Sequence, residues 1–188
     1  LKNLKTDDNE QSNNVFQSLI GLPQHMSDGD YKEKWYDTNI EWFGTKWDIS
    51  YSEDMFTFTK DEISFFCETA WSPPIPFLQN LCEMYKVNAN LFYSEGGVGF
   101  SGESTFNWVD GELEVYDDEC GYLEGIYKYS RDEFWSEVES RVDCILDEEQ
   151  TLEDFISEFD FVSEEDKEEL TRLYNETIKE NDEESEGE

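Results

Sequence analysis

The chain has 188 residues, 37% hydrophobic and 16% aromatic, with 48 acidic against 13 basic side chains and a formal net charge of −35. The length fits one ordinary domain or a domain with an appendage, and the low aliphatic content calls for a core of a few large rings. The charge repels phosphate backbones and anionic headgroups, so neither direct nucleic-acid binding nor a membrane partner is expected, and a basic protein surface is.

No stretch approaches the roughly 20 apolar residues of a membrane span, and no charged-then-apolar leader opens the chain, which starts at Leu1 and reads as trimmed or processed. The four cysteines, Cys67, Cys82, Cys120 and Cys144, are irregularly spaced without a C-x-x-C pair. They read as reduced, mostly buried thiols of a cytosolic protein.

In chain order, residues 1–14 are polar and aperiodic and read as a flexible arm. Val15, Phe16, Leu19, Ile20 and Leu22 make a short helix or docking segment ended by Gly21 and Pro23. The segment from Asp30 to Phe43 is expected to be helical in its first half. "WDISYS", residues 47–52, alternates Trp47, Ile49 and Tyr51 with polar neighbours, the period of a half-buried strand. "MFTFT" and "EISFFCETAW" extend that pattern into two further strands.

Three of the four prolines, Pro73, Pro74 and Pro76, follow at once. Residues preceding proline are held extended, and proline suits the first turn of a helix, so a strand stops here and a helix over about Pro76 to Lys86 begins. "ANLFYSE" and "STFNWVDGELEVY" read as strands, the second split by the hairpin dipeptide Asp110-Gly111. From Arg131 the spacing becomes helical, with start signals at Thr151 (Asp154 three residues on) and Ser163 (Asp166 three residues on). Two or three acidic helices are expected, then a solvated tail over residues 181–188.

"WFGTKWDISY", "CETAWSPPIPFLQNLCEMY" and "EGGVGFSGESTFNWVDGE" occur in that order. Together they resemble the YubB-type ferredoxin-like domain family of uncharacterised plasmid and phage proteins, through Gly44 to Asp48, Thr69 to Pro76 and Gly97 to Gly102. The resemblance covers about residues 15–118. It implies an α+β fold, an antiparallel sheet packed by helices in a ferredoxin-like core, and an origin in a mobile genetic element; it implies no activity and no catalytic residue. The expected organisation is an arm (1–14), the ferredoxin-like domain (15–125), an acidic helical C-terminal extension (126–180) and a disordered tail (181–188).

"GVGFSG", residues 97–102, fits G-x-G-x-x-G, but the segment after it is strand-like, and a dinucleotide site needs a helix there. The glycines read instead as a bulge or a tight approach. His25 is the single histidine and sits in a loop-like stretch, so no catalytic residue is assigned. Asp117-Asp118-Glu119 and Asp147-Glu148-Glu149 suit at most an adventitious divalent ion, and no cofactor or metal is expected. Trp35, Trp42 and Trp71 read as core rings in preference to a surface patch.

Residues 131–188 hold 24 acids and 5 bases. Acids three or four apart on a helix stand about 5–6 Å from one another, a spacing comparable to that of charges along a nucleic-acid backbone. The function expected is therefore a non-enzymatic acidic binding protein of a phage or plasmid in the host cytoplasm. It engages and inhibits a basic, nucleic-acid-binding host defence protein by nucleic-acid mimicry, with contacts from Glu133, Glu137, Asp147, Glu148, Glu149 and Glu153. The alternatives are a structural or packaged phage particle component without inhibitory role, and a small-molecule enzyme dependent on His25.

Overall fold

A computed structural model describes residues 14–148 and 151–185, with backbone alone for residues 53, 143–148 and 180–185. Residues 1–13 of the expected arm lie outside the described residues. The protein is α+β, with antiparallel strands packed by helices. It divides into two compact units, residues 1–91 with 104–117, and residues 92–103 with 118–188. The boundary expected at residue 125 does not coincide with this division, because residues 92–103 belong with the helical C-terminal part.

The first unit opens with α1 (Val15–Ile20) and α2 (Asp28–Phe43). Ser27 and Asp30 form a reciprocal capping box at the start of α2, and Gly44 ends it in the left-handed conformation at φ 81°. The helix runs through the whole segment, past a non-helical Lys34, and not through its first half alone. Two polar residues on its buried face, Thr38 and Asn39, mask the apolar period. Asn39 satisfies its amide by donating to the Lys46 carbonyl at 3.0 Å and accepting from the Tyr31 hydroxyl at 2.9 Å.

Among the described residues, 47–52 belong to no strand, and the ladder contact found there is an isolated bridge between Ser50 and Asn14. Asp48 occupies itself otherwise. Its carboxylate accepts from the backbone N–H groups of Phe16, Gln17 and Ile49, each at 2.7 Å, and so caps the start of α1. The strands β1 (Phe56–Phe58) and β2 (Ile63–Phe65) pair as an antiparallel ribbon with Phe56 opposite Phe65. β2 stops at Phe65, well short of Trp71, where the chain turns away into the Thr69–Ser72 loop.

The helix after the prolines is α3 (Ile75–Tyr85), with Pro74 as its N-cap. Ile75 is therefore helical despite preceding Pro76, and Pro76 lies in the first turn, where a missing N–H leaves no bond unmade. Phe16 stacks on Phe77 of α3 with ring centroids 4.1 Å apart, and Phe43, Ile49, Phe56, Leu78, Cys82 and Phe106 complete the core.

The strands β3 (Ala89–Glu95), β4 (Phe100–Val109) and β5 (Glu112–Gly121) form a sheet in that order. Asp110 and Gly111 join the last two at φ 51° and 89°, as a two-residue type I′ hairpin requires.

The second unit gathers α4 (Tyr122–Tyr129), α5 (Arg131–Glu148), α6 (Leu152–Ser157) and α7 (Glu164–Ser185). Its core is Ile126, Phe134, Val138, Val142, Phe155, Phe159, Val162 and Leu170. Thr151 and Ser163 accept from the N–H groups of Asp154 and Asp166, so both start signals are the caps read from sequence. The helical extension expected from residue 126 takes in only the second half of α4, whose start at Tyr122 carries no signal because Gly125 interrupts the helical pattern. α7 continues through Ser185 into the segment expected as tail, in keeping with the helix propensity of Glu.

Candidate protein-interaction surface

The expected contact residues fall at the start of α5, at its end, and on α6. Glu133 is exposed and accepts from the Tyr122 hydroxyl at 3.1 Å. Glu137, one turn on, is half-buried and bound to Arg141 at 3.0 Å, and Arg141 also reaches Glu158 at 3.4 Å. Burial, then the bond to Glu133 and the charges of Glu133 and Glu137, push the Tyr122 phenol up to about 12. The two glutamates thus share one neighbourhood, but Glu137 is already neutralised.

Asp147 and Glu148 lie on the last turn of α5, described by backbone alone, and Glu149 lies outside the described residues. Glu153 is exposed in the first turn of α6. It borders an open depression of about 540 Å³ lined also by Ile156, Asp160, Lys167 and Thr171.

Five of the six described cations of this unit stand in ion pairs with carboxylates. Lys128 pairs with Glu124, Arg131 with Asp166, Arg141 with Glu137 and Glu158, Lys167 with Glu164, and Arg172 with Glu169 and Glu176. Meanwhile Asp132, Glu133, Glu139, Glu153, Asp154 and Glu168 are exposed. Surface pairs of this kind add little stability, but they remove basic side chains from the list of groups that would offset a negative field. The outward charge is therefore carboxylate.

The aromatic residues are arranged differently from the sequence reading. Trp42 does pack on the first core, with its indole N–H on the Gly21 carbonyl at 3.0 Å. Trp35 and Trp71 do not: both are exposed, Trp71 to 80%. Trp71 also stands at φ 77°, a region that bulky side chains avoid and that costs about 1–3 kcal/mol. The Lys46 ammonium lies 5.8 Å from the Trp71 ring centroid and 4.6 Å from that of Trp47, itself 51% exposed.

A buried hydroxyl fixes this cluster from below. Thr45 Oγ1 accepts from the Ala70 N–H at 3.2 Å and lies 3.3 Å from the Trp47 carbonyl, while Thr69 donates to the Ser72 carbonyl at 2.9 Å. Ser72 in turn donates to the Gly44 carbonyl. Gly44 admits no side chain, since a Cβ would come 2.4 Å from Pro76 Cδ. The only hint of this in the sequence was Trp71 lying directly beside a proline turn, where core packing is hard to arrange.

The glycines of residues 97–102 make a close approach: a Cβ on Gly102 would stand 2.4 Å from the Tyr93 hydroxyl. β4 begins within this stretch, at Phe100, and takes in Gly102, so no helix opens there. His25 is exposed in a turn. Among the described residues no group of His, Cys, Asp and Glu is placed to hold a metal ion, and no helix is long and apolar enough to cross a membrane.

Comparison with known proteins adds a fold. The family model described as "Ferredoxin-like domain in Api92-like protein" matches residues 27–136. No curated protein and no solved structure matches the chain.

Proposed function

We propose that this chain, which belongs to the family of ferredoxin-like domains in Api92-like proteins, is a non-enzymatic acidic protein that binds a basic, nucleic-acid-binding partner. It occupies the partner's phosphate-binding groove by imitating a nucleic-acid backbone, and so inhibits it. One observation supports the reading: in the helical unit the arginines and lysines named above are tied into pairs, and the exposed charges outside those pairs are predominantly carboxylates on successive helices. The motif resemblance to YubB-type proteins of plasmids and phages supports a mobile-element origin, with a host defence complex in the host cytoplasm as the target.

The test is capture from a bacterial lysate on the immobilised chain, with elution by salt and by duplex DNA. Electrostatic capture weakens steeply as ionic strength rises, and a mimic is displaced by DNA. Replacing Glu133, Asp147, Glu148 and Glu153 by Lys should abolish capture. Replacing the exposed Glu33, Glu41, Asp61 and Glu62 of the first unit by Lys alters net charge equally and should leave capture largely intact. Equal losses in both variants, or elution indifferent to DNA, would reduce the acidic helices to a solubilising face.

A further inference from the structure

The cluster of Lys46, Trp47 and Trp71 lies in the first unit and takes no part in the acidic helices. Its exposed ring at positive φ is the least expected feature of that unit. A glycine would adopt φ 77° freely, and a ring held there and 80% exposed contributes almost no burial in compensation. Such strain persists only where the surrounding structure imposes it, and here Thr45, Thr69 and Ser72 do so through bonds to the loop on both sides of Trp71.

What the two rings hold in the free chain is a cation: the Lys46 ammonium, within 6 Å of both centroids. We propose that Trp47 and Trp71 form a receptor for an arginine side chain of a basic partner, with Lys46 as a tethered stand-in that leaves when the arginine enters. The negative faces of the rings attract a cation irrespective of its source. A guanidinium displaces an ammonium because it is planar, stacks on indole and is more weakly hydrated. The net charge of −35 makes the chain as a whole favour cationic over phosphate-bearing ligands. The inference shares with the proposed function only the sign of the partner's charge; the residues are different.

The experiment follows the six tryptophan indole N–H resonances by NMR while N-acetyl-arginine amide is titrated at fixed ionic strength, with AMP as the parallel probe. Trp47 and Trp71 should shift in a saturable way with the arginine probe and not with AMP. Lys46→Gln, by vacating the rings, should tighten binding about 3- to 10-fold. Trp71→Gly, which suits the backbone at that position and should fold at least as well, should abolish the Trp47 shift. The fourfold charge reversal on the helices should leave these shifts in place, so failure of the helix reading and failure of this one are read separately. Stationary Trp47 and Trp71 signals would overturn the proposal. So would weaker binding in Lys46→Gln together with a response to AMP, which would indicate stacking of a base with Lys46 on its phosphate.

Discussion

Asp166 receives both terminal nitrogens of Arg131, at 2.6 and 3.2 Å, although 35 residues separate them. The same carboxylate accepts from the Tyr127 hydroxyl at 2.7 Å and from Ser163 Oγ at 2.6 Å, so it ties the starts of α5 and α7 to α4. Arg131 first, then Ser163 and Tyr127, hold the Asp166 carboxyl well below the usual carboxylate range. A group depressed in the folded state contributes stability above its unfolded value, about 3.9, and loses it as pH falls through that value toward the folded one. Asp166→Asn should therefore cost about 1–2 kcal/mol at pH 7, discounted for the partial exposure of Arg131. The gap to wild type should narrow as pH falls below 4. Denaturant midpoints of both proteins between pH 3 and 7 provide the check; a gap independent of pH would show that the charge is immaterial.

Gly125 of α4 faces Ser101 of β4 so closely that a Cβ would lie 1.6 Å from the serine Oγ and 2.6 Å from its Cβ. Ser101 is fully buried, with its hydroxyl 3.1 Å from the Gly121 carbonyl. Gly125→Ala gains helix propensity of about 1 kcal/mol but meets overpacking of roughly 1–3 kcal/mol, so a net loss is expected. Adding Ser101→Gly opens the space and should recover most of it. Additive losses in the double variant, measured by thermal unfolding, would contradict the contact.

These two sites mark where the sequence is legible and where it is not. The caps at Ser163 and Thr151 and the turn at Asp110-Gly111 are local: three or four adjacent residues contain the whole physical cause, and the structure places each as read. The start of α4 is not legible, because Gly125, a helix-weakening residue, fits against Ser101, 24 residues away in sequence. The second half of α2 lacks an apolar period because Thr38 and Asn39 face inward, where Met26, Lys46 and Tyr31 satisfy them. Residues 47–52 have a strand's alternation, yet Asp48 finds its bonds on a helix terminus.

The same division applies to the surface. The excess of carboxylate on α5 and α6 is plain from composition and helical spacing. That Glu137 is occupied by Arg141 follows from an i, i+4 spacing that is also in the sequence, but the additional reach to Glu158 is not. The exposure of Trp71 depends on a loop conformation set by Thr45, and no window around residue 71 contains it.

Asp48 gives a second pH-dependent case, of opposite sign. Burial pushes its carboxyl up, against the N–H groups of Gln17, Phe16 and Ile49, which favour the charged form. A carboxylate raised on folding binds its proton more tightly in the native state, so its contribution shrinks as pH climbs from the unfolded value through the raised one. Asp48→Ala strips three backbone donors of their acceptor and should cost about 2–4 kcal/mol. Asp48→Asn keeps one oxygen but turns an amide toward a donor, and about half that loss is expected. The gap between wild type and Asp48→Asn should narrow as pH rises from 4 to 7, the reverse of the Asp166 pair. Parallel denaturation series for the two asparagine variants would expose an error in either sign.

Cys67 and Cys82 are free thiols that burial pushes up to about 11. Thiolate is the reactive form, and at pH 8 a thiol at that value carries on the order of 100-fold less of it than an unperturbed one. Cys82 is also fully enclosed beside Phe77 and Leu78 in the first core. Iodoacetamide at pH 8 should therefore leave Cys82 unmodified in the native protein over times that fully label it in denaturant, with Cys67 slow but measurable because it is only half-buried. Peptide mass mapping after timed labelling reports both sites at once. Rapid native labelling of Cys82 would mean that α3 opens on the labelling timescale, and the stacked Phe16–Phe77 pair could not then be the fixed centre of the unit.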